Sequence, residues 1–159
     1  MTLDEYLGIG RKLELGSHTF GSEEIKRFAA KFDPQPFHVD EEAARNSVFG
    51  RLCASGWHTA SVWMRFNVAA RYELNADNWS GPGALPVLGP SPGIHNLKWL
   101  KPVFVDETIT FYRTGLSHRA HPRRPGWRMA LSLAEAFDTG GDKVLEFTSR
   151  LLFFLGDPE

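Results

Sequence analysis

The chain has a single cysteine, Cys53, in 159 residues. That excludes an intramolecular disulfide and a cysteine metal cluster. Long hydrophobic runs are missing as well: no segment approaches the ~20 apolar residues of a membrane span. The opening stretch, MTLDEYLGIGRKLELG, is acidic early and lacks the apolar run of a signal peptide, so a cytoplasmic protein is the expectation. Charge of one sign is not in excess. Eighteen Lys and Arg against 19 Asp and Glu leave a net charge of −1. Such a balance carries no electrostatic footprint for nucleic acid or a membrane surface. Internal repeats, low-complexity segments and a Gly-rich phosphate loop are absent. Gly81-Pro82-Gly83 has no helical pattern after it to make it a dinucleotide fingerprint.

What remains is an ordinary globular chain, expected to be one domain over residues 1–159. A chain of this length can bury about 70% of the surface its unfolded form exposes, enough for a core. Its 42% apolar and 23% charged content match that class. Arg11 to Phe20 alternates loosely and reads as a strand. Ser22 is the expected N-cap of a helix, with Glu23 and Glu24 in its first turn and Ile25, Phe28, Ala29 and Phe32 at helical spacing. Asp40 is expected to cap a short helix through Asn46. Gly56 to Tyr72 is the longest helical pattern and is apolar on most faces, which calls for burial. Residues 75–93 are too rich in Gly and Pro to hold regular structure for long and read as a long loop, with the pocket mouth as its expected neighbourhood. Four strands follow, at about Ile94–Leu100, Thr108–Arg119, Trp127–Phe137 and Lys143–Phe154, the last three joined by hairpin-like turns. On the third of these, Trp127, Met129, Leu131, Leu133 and Phe137 share one face, with Arg128, Ala130 and Ser132 on the other. Helices followed by a run of antiparallel strands make an α+β pattern.

The most informative stretch is Asp33-Pro34-Gln35-Pro36-Phe37-His38. Asp33 and Gln35 each precede a proline, which pushes both toward extended backbone, and neither proline can donate an N–H. The preceding helix should therefore stop near Phe32 and leave Asp33 in a stiff segment. Fully extended, Asp33 and His38 would lie roughly 17 Å apart, so they can act together only if Pro-Gln-Pro bends.

The segment Phe32 to Trp57 resembles the MaoC-like, or (R)-specific enoyl-CoA hydratase, branch of the hotdog-fold proteins. Asp33, Pro34, His38, Asp40, the helix Glu41 to Asn46, and Gly56 match that pattern residue by residue. A second block resembles the same family: Gly93 to Val103 with Trp99, Pro102 and Val103, then Asp106-Glu107-Thr108-Ile109. The resemblance covers nearly the whole chain. It implies a hotdog fold, a long central helix wrapped by a curved antiparallel sheet, and a homodimer or a higher oligomer built from it. It implies hydration of 2-enoyl-CoA to (R)-3-hydroxyacyl-CoA, or the reverse dehydration, without cofactor or metal. It also implies that Asp33 and His38 converge on one water.

Adding water across an α,β-unsaturated thioester needs a base for water, an acid for the α-carbon, and donors for the charge that grows on the thioester oxygen. Asp33 and His38 suit the first two. The backbone N–H of Gly56 is the candidate for the third. First-turn N–H groups lack intrahelical partners, and glycine admits a close carbonyl. Ser55, Trp57 and Ser61, around the start of the long helix, are the further substrate-binding candidates. Ser55 and Trp57 depart from the family, which often has His and Met there.

Other features read as structural. Asp40 is an N-cap rather than a third acid. His118 and His121 form a loose pair without an acidic or Cys partner in sequence, so no metal is expected. Arg119, Arg123, Arg124 and Arg128 read as a solvated hairpin tip, with coenzyme A phosphates the alternative; Lys98 and Lys101 carry a weaker hint of the same kind. Two rival functions stand beside the hydratase. A hotdog acyl-CoA thioesterase commonly carries its acid on the long helix, but Gly56 to Tyr72 has no Asp or Glu. A non-catalytic acyl-CoA-binding subunit need not retain both Asp33 and His38.

Overall fold

The computed structural model describes residues 1–71, 76–81 and 83–156. A short helix α1 (Leu3–Leu7) precedes strand β1 (Lys12–Thr19). Helix α2 (Ser22–Phe32) leads into two short helices, α3 (Pro36–Val39) and α4 (Glu41–Arg45), and then the long helix α5 (Gly56–Ala69). The strands that follow are β2 (Val87–Leu88), β3 (Ile94–Trp99), β4 (Thr108–Ala120), β5 (Trp127–Phe137) and β6 (Lys143–Phe154). All pairings between these strands are antiparallel, in the order β1-β4-β5-β6-β2, with β3 also on β6. This is the α+β hotdog arrangement: α5 lies against β1, β4 and β6, and its residues join the core.

The local starts and stops follow from the side chains. The cap of α2 is Gly21 rather than Ser22, and the Glu24 carboxylate accepts from the Gly21 N–H at 3.0 Å. Glycine has no side chain to cap with, so the glutamate three residues on supplies the acceptor. Asp40 caps α4 as expected, its carboxylate accepting from the Ala43 N–H. Phe32 is at helical spacing yet exposed, while Ile25 and Ala29 are fully buried. Tyr72, the expected last residue of the long helix, lies outside the described residues.

Trp63 is the largest fully buried side chain. Its indole N–H donates to the Tyr112 carbonyl at 2.8 Å, which ties α5 to β4 while the ring packs edge-on to Phe147. Gly16 marks a bulge in β1. Its φ is +142°, and a Cβ there would meet the Phe66 ring of α5 at 2.7 Å. The sheet can close on the helix at that point only because a side chain is missing.

On β5 the buried face is the one with small residues, Ala130, Ser132, Ala134 and Ala136. The large apolar side chains Trp127, Met129, Leu131, Leu133 and Phe137 are on the other face and only half-buried. The inner face must leave room for a helix that presents Trp63, so volume rather than hydropathy decides which face turns inward.

Candidate active site

Asp33 closes α2 as its C-cap, and its N–H bonds back to the Ala29 carbonyl. Gln35 is extended, with φ −68° and ψ 142°, and Pro36 then occupies the first position of α3. Proline suits that position because its N–H is not needed there and its φ is already helical. The single turn of α3 is the bend that the sequence required. It brings His38 Nε2 to 3.4 Å from Asp33 Oδ2.

Both side chains are held by partners. His38 is 6% exposed, and its Nδ1 lies 2.6 Å from the Cys53 carbonyl oxygen. A carbonyl only accepts, so Nδ1 carries the proton and Nε2 is left facing Asp33. The Asp33 carboxylate accepts from Gln35 Nε2 at 3.0 Å through Oδ1 and from the Ser55 hydroxyl at 2.7 Å through Oδ2. Burial pushes its pKa up, but the bonds from Gln35 and Ser55 and the neighbouring His38 outweigh it, so the carboxyl titrates below its usual range. It is a carboxylate at neutral pH. Cys53 beside them is driven the other way, first by burial and then by the Asp33 charge, to about 11. It is a neutral thiol, and its part in the site is its backbone carbonyl.

Ser55 is the N-cap of α5 and fully buried. Its hydroxyl oxygen accepts from the Trp57 N–H at 3.2 Å while donating to Asp33. One side chain thus ties the helix start to the carboxylate. Gly56 is the first residue of α5. Among the described hydrogen bonds its N–H has no acceptor, as helix geometry expects. A Cβ on Gly56 would meet the Trp99 ring at 2.4 Å, so the indole of β3 lies directly against this glycine. Trp57 packs edge-on to Trp99, with ring centroids 4.9 Å apart.

These groups surround a cavity of about 380 Å³. Asp33, His38, Gly56 and Trp57 line it, with Phe37 and Phe49 among the apolar walls. Lys101 also lines it, but its ammonium is paired with Asp138 and Asp142, whose hydrogen bonds hold its pKa above the ordinary lysine value. Ser61 is outside this cavity; its hydroxyl donates to the Trp57 carbonyl one turn back. Ser55 touches Asp33 rather than the cavity wall. Gln35 and Trp99 were not singled out as site residues by sequence. A Gln between two prolines gives no signal of its own. A Ser immediately before a helix start does, since it is an N-cap type.

The hairpin arginines are apart from this site. Arg119, Arg123 and Arg124 are exposed on the β4–β5 hairpin, and Arg128 donates to His118 Nδ1. His118 in turn donates through Nε2 to Asp4 of α1 at 2.8 Å, an acidic neighbour far away in sequence. Among the described residues no three His, Cys, Asp or Glu side chains are grouped to hold a metal.

The family model described as MaoC like domain matches residues 7–121. A MaoC-like dehydratase from Rhodospirillum rubrum is similar in structure with a TM-score of 0.77 and 30% identity, over 99% of this chain and 99% of that one. An (R)-hydratase from A. caviae, involved in PHA biosynthesis, is similar in fold, with a TM-score of 0.64 and 22% identity over 90% of this chain and 94% of that one. In sequence, the Bacillus subtilis (strain 168) protein named Uncharacterized protein YdeM is 42% identical over 62 residues, 39% of this chain and 43% of that protein. The match thus spans less than half the length of that curated relative.

Proposed function

This chain belongs to the MaoC-like domain family, and we propose that it is a hydratase/dehydratase that interconverts a 2-enoyl-CoA and an (R)-3-hydroxyacyl-CoA, with residues 1–159 acting as one catalytic domain. One observation carries the reading: an ionised Asp33 and the free nitrogen of His38, 3.4 Å apart, on the wall of a cavity also lined by Gly56, whose N–H has no acceptor among the described residues.

In the hydration direction, a water held between Asp33 and His38 Nε2 attacks C3 of the enoyl thioester. Asp33 takes a proton from that water as the C–O bond forms, and the electron pair of the C2–C3 double bond moves toward the thioester oxygen. The Gly56 N–H, at the positive end of α5, faces that growing charge; such donors are worth about 3 kcal/mol in other enzymes. A proton is returned to C2 from the Asp33–His38 pair, so H and OH are added and the pair ends as it began. Trp57 and the apolar cavity wall pack against the acyl-thioester. No cofactor or metal enters these steps.

The proposed substrate form is an acyl-CoA and the proposed location the cytoplasm. No described helix is long and apolar enough to cross a membrane. We propose a homodimer as well. Strand β3 pairs only with β6 among the described strands, which leaves its other edge open, and its Ile94 and Trp99 are exposed. Two copies joined edge to edge across a two-fold axis would cover both.

The test is an assay of the purified protein on a panel of 2-enoyl-CoA and 3-hydroxyacyl-CoA esters, following enoyl absorbance and free thiol together. Loss of enoyl absorbance without thiol release is expected. Thiol release from saturated acyl-CoA, with enoyl absorbance unchanged, would replace the hydratase by a thioesterase. No change in either signal across the panel would favour the non-catalytic binding subunit.

A further inference from the structure

A second cavity, of about 230 Å³, lies at the other end of α5. Helix α5 has 14 residues and so is about 20 Å long, which separates this cavity from the Gly56 end. Its walls are apolar where Met64, Val68, Leu88 and Leu151 contribute, and polar where Asn67, Arg71 and Arg150 do. Among the described residues no carboxylate lines it.

The arginines here have no anionic partner among the described residues. Arg71 and Arg150 line the cavity, Arg113 stands behind it, and none of the three is in an ion pair. The Nε of each is buried and without a hydrogen-bond partner. Arg113 is 4% exposed, and burial, then the charge of Arg71, pushes its guanidinium down to about 10. Tyr6 is close to both, but burial pushes its phenol up, so it stays neutral and offsets neither charge.

Asn67 shows how these charges are used. It is 4% exposed, and its Oδ1 accepts from Arg113 Nη1 at 2.9 Å. That fixes the amide so that Nδ2, a donor, is turned away from Arg113. Its partner there is the Met64 sulfur at 3.9 Å, a weak acceptor. A buried amide donor and two guanidinium groups therefore edge one cavity, whose other polar lining side chains among the described residues are the neutral hydroxyls of Ser91 and Ser149. Arginine stems often lie along apolar surface with their heads in water, but that arrangement does not call for a buried, unpartnered Nε on three neighbours. Buried cationic groups without a counter-charge are costly, and an oxyanion would offset that cost.

We propose that this cavity is an anion-binding site that takes a carboxylate or phosphate group bearing a short apolar chain. The planar guanidinium groups suit the paired oxygens of either head. The Asn67 amide adds a donor, and Met64, Val68, Leu88 and Leu151 cover the chain. The site stands apart from the Asp33–His38 cavity and does not depend on the chemistry proposed there.

The experiment is calorimetric titration of the purified protein with hexanoate, hexyl phosphate and the neutral hexanamide, at constant ionic strength. Saturable binding of at least one anion is expected, with hexanamide much weaker; which anion binds more tightly identifies the head group. Arg71→Gln and Arg150→Gln should each weaken that binding by about tenfold or more, the size of one charge-assisted hydrogen bond. Hexanamide binding equal to that of the anions, Gln variants with unchanged affinity, or no saturation by either anion up to about 10 mM would overturn the proposal. Should the Gln variants fail to fold by circular dichroism, phenylglyoxal modification of the native protein decides instead. The preferred anion, and not hexanamide, should slow labelling at Arg71 and Arg150. Equal labelling with and without it would overturn the site.

Discussion

His38 and His58 are equally buried, each 6% exposed, and they differ in almost everything else. His38 is on a one-turn helix, and both ring nitrogens face polar groups, the Cys53 carbonyl and the Asp33 carboxylate. His58 is on the first turn of α5, stacked flat on Phe28 at 4.6 Å and edge-on to Phe20 at 5.0 Å. Its Nδ1 is buried with no partner. Burial pushes its pKa down to about 4, so it is a neutral aromatic plate in the folded protein. Burial alone therefore makes an inert imidazole. A carboxylate on one nitrogen and a carbonyl on the other make one that can move a proton.

That contrast predicts where function should break. The largest loss is expected from His38→Ala and Asp33→Asn, each lowering hydration turnover by at least about 10²-fold, the usual scale of acid–base catalysis. The double variant should lose much less than the product of the two, because both groups act on one water. Near-normal turnover in either folded single variant would remove the assignment.

Next comes Gly56→Ala. The added methyl would run into the Trp99 ring and displace it from the cavity. We expect a loss of about ten- to a hundredfold in kcat/KM, typical of a misplaced reacting group. Combining it with Trp99→Ala should recover part of the loss, and a strictly additive double-mutant cycle would show that the contact is not the cause.

Ser55→Ala is smaller and reads the electrostatics. Removing the helix cap should cost about 1 kcal/mol in denaturant unfolding. Removing a donor to Asp33 should also raise that carboxyl toward its ordinary range, because part of what lowers it is gone. A base that protonates at higher pH moves the acid limb of the rate profile upward. An unmoved acid limb would mean that the Ser55 bond does not tune Asp33.

The smallest effect on turnover is expected from His58→Phe, which keeps a ring against Phe28. Its signature is in stability instead. The folded pKa near 4 lies below the ordinary 6.5, so the unfolded chain binds the proton more tightly. Stability then falls as pH drops from 6.5 toward 4, by up to about 3 kcal/mol. His58→Phe should flatten that part of the pH–stability curve without reducing turnover. A curve as steep as wild type would place the titrating group elsewhere, and lost turnover would erase the contrast with His38.

The pattern legible in the sequence was local. The breaks at Phe32 and Asp40 came from proline chemistry and an N-cap, and the four C-terminal strands came from alternation and turn residues; all are close to the observed bounds. Helices α1 and α3 and the two-residue β2 were not read, because one turn or two residues carry too little periodicity to register. The Arg71, Asn67, Arg113 and Arg150 group was invisible for a different reason. Its members come from α5, the residues just after it, β4 and β6, and no local pattern links them.

By itself, then, the sequence determined the elements, the family resemblance and the pairing of an acid with a histidine across two prolines, since each depends on neighbours within a few residues. Only the tertiary structure decided which groups became partners. The bend at α3 turned a possible 17 Å separation into a 3.4 Å approach. Closure of the sheet on α5 put Ser55 on Asp33, Trp99 on Gly56 and the small face of β5 inward. Those contacts join residues far apart in the chain, and they are set by volume, charge and hydrogen-bond geometry in a close-packed interior.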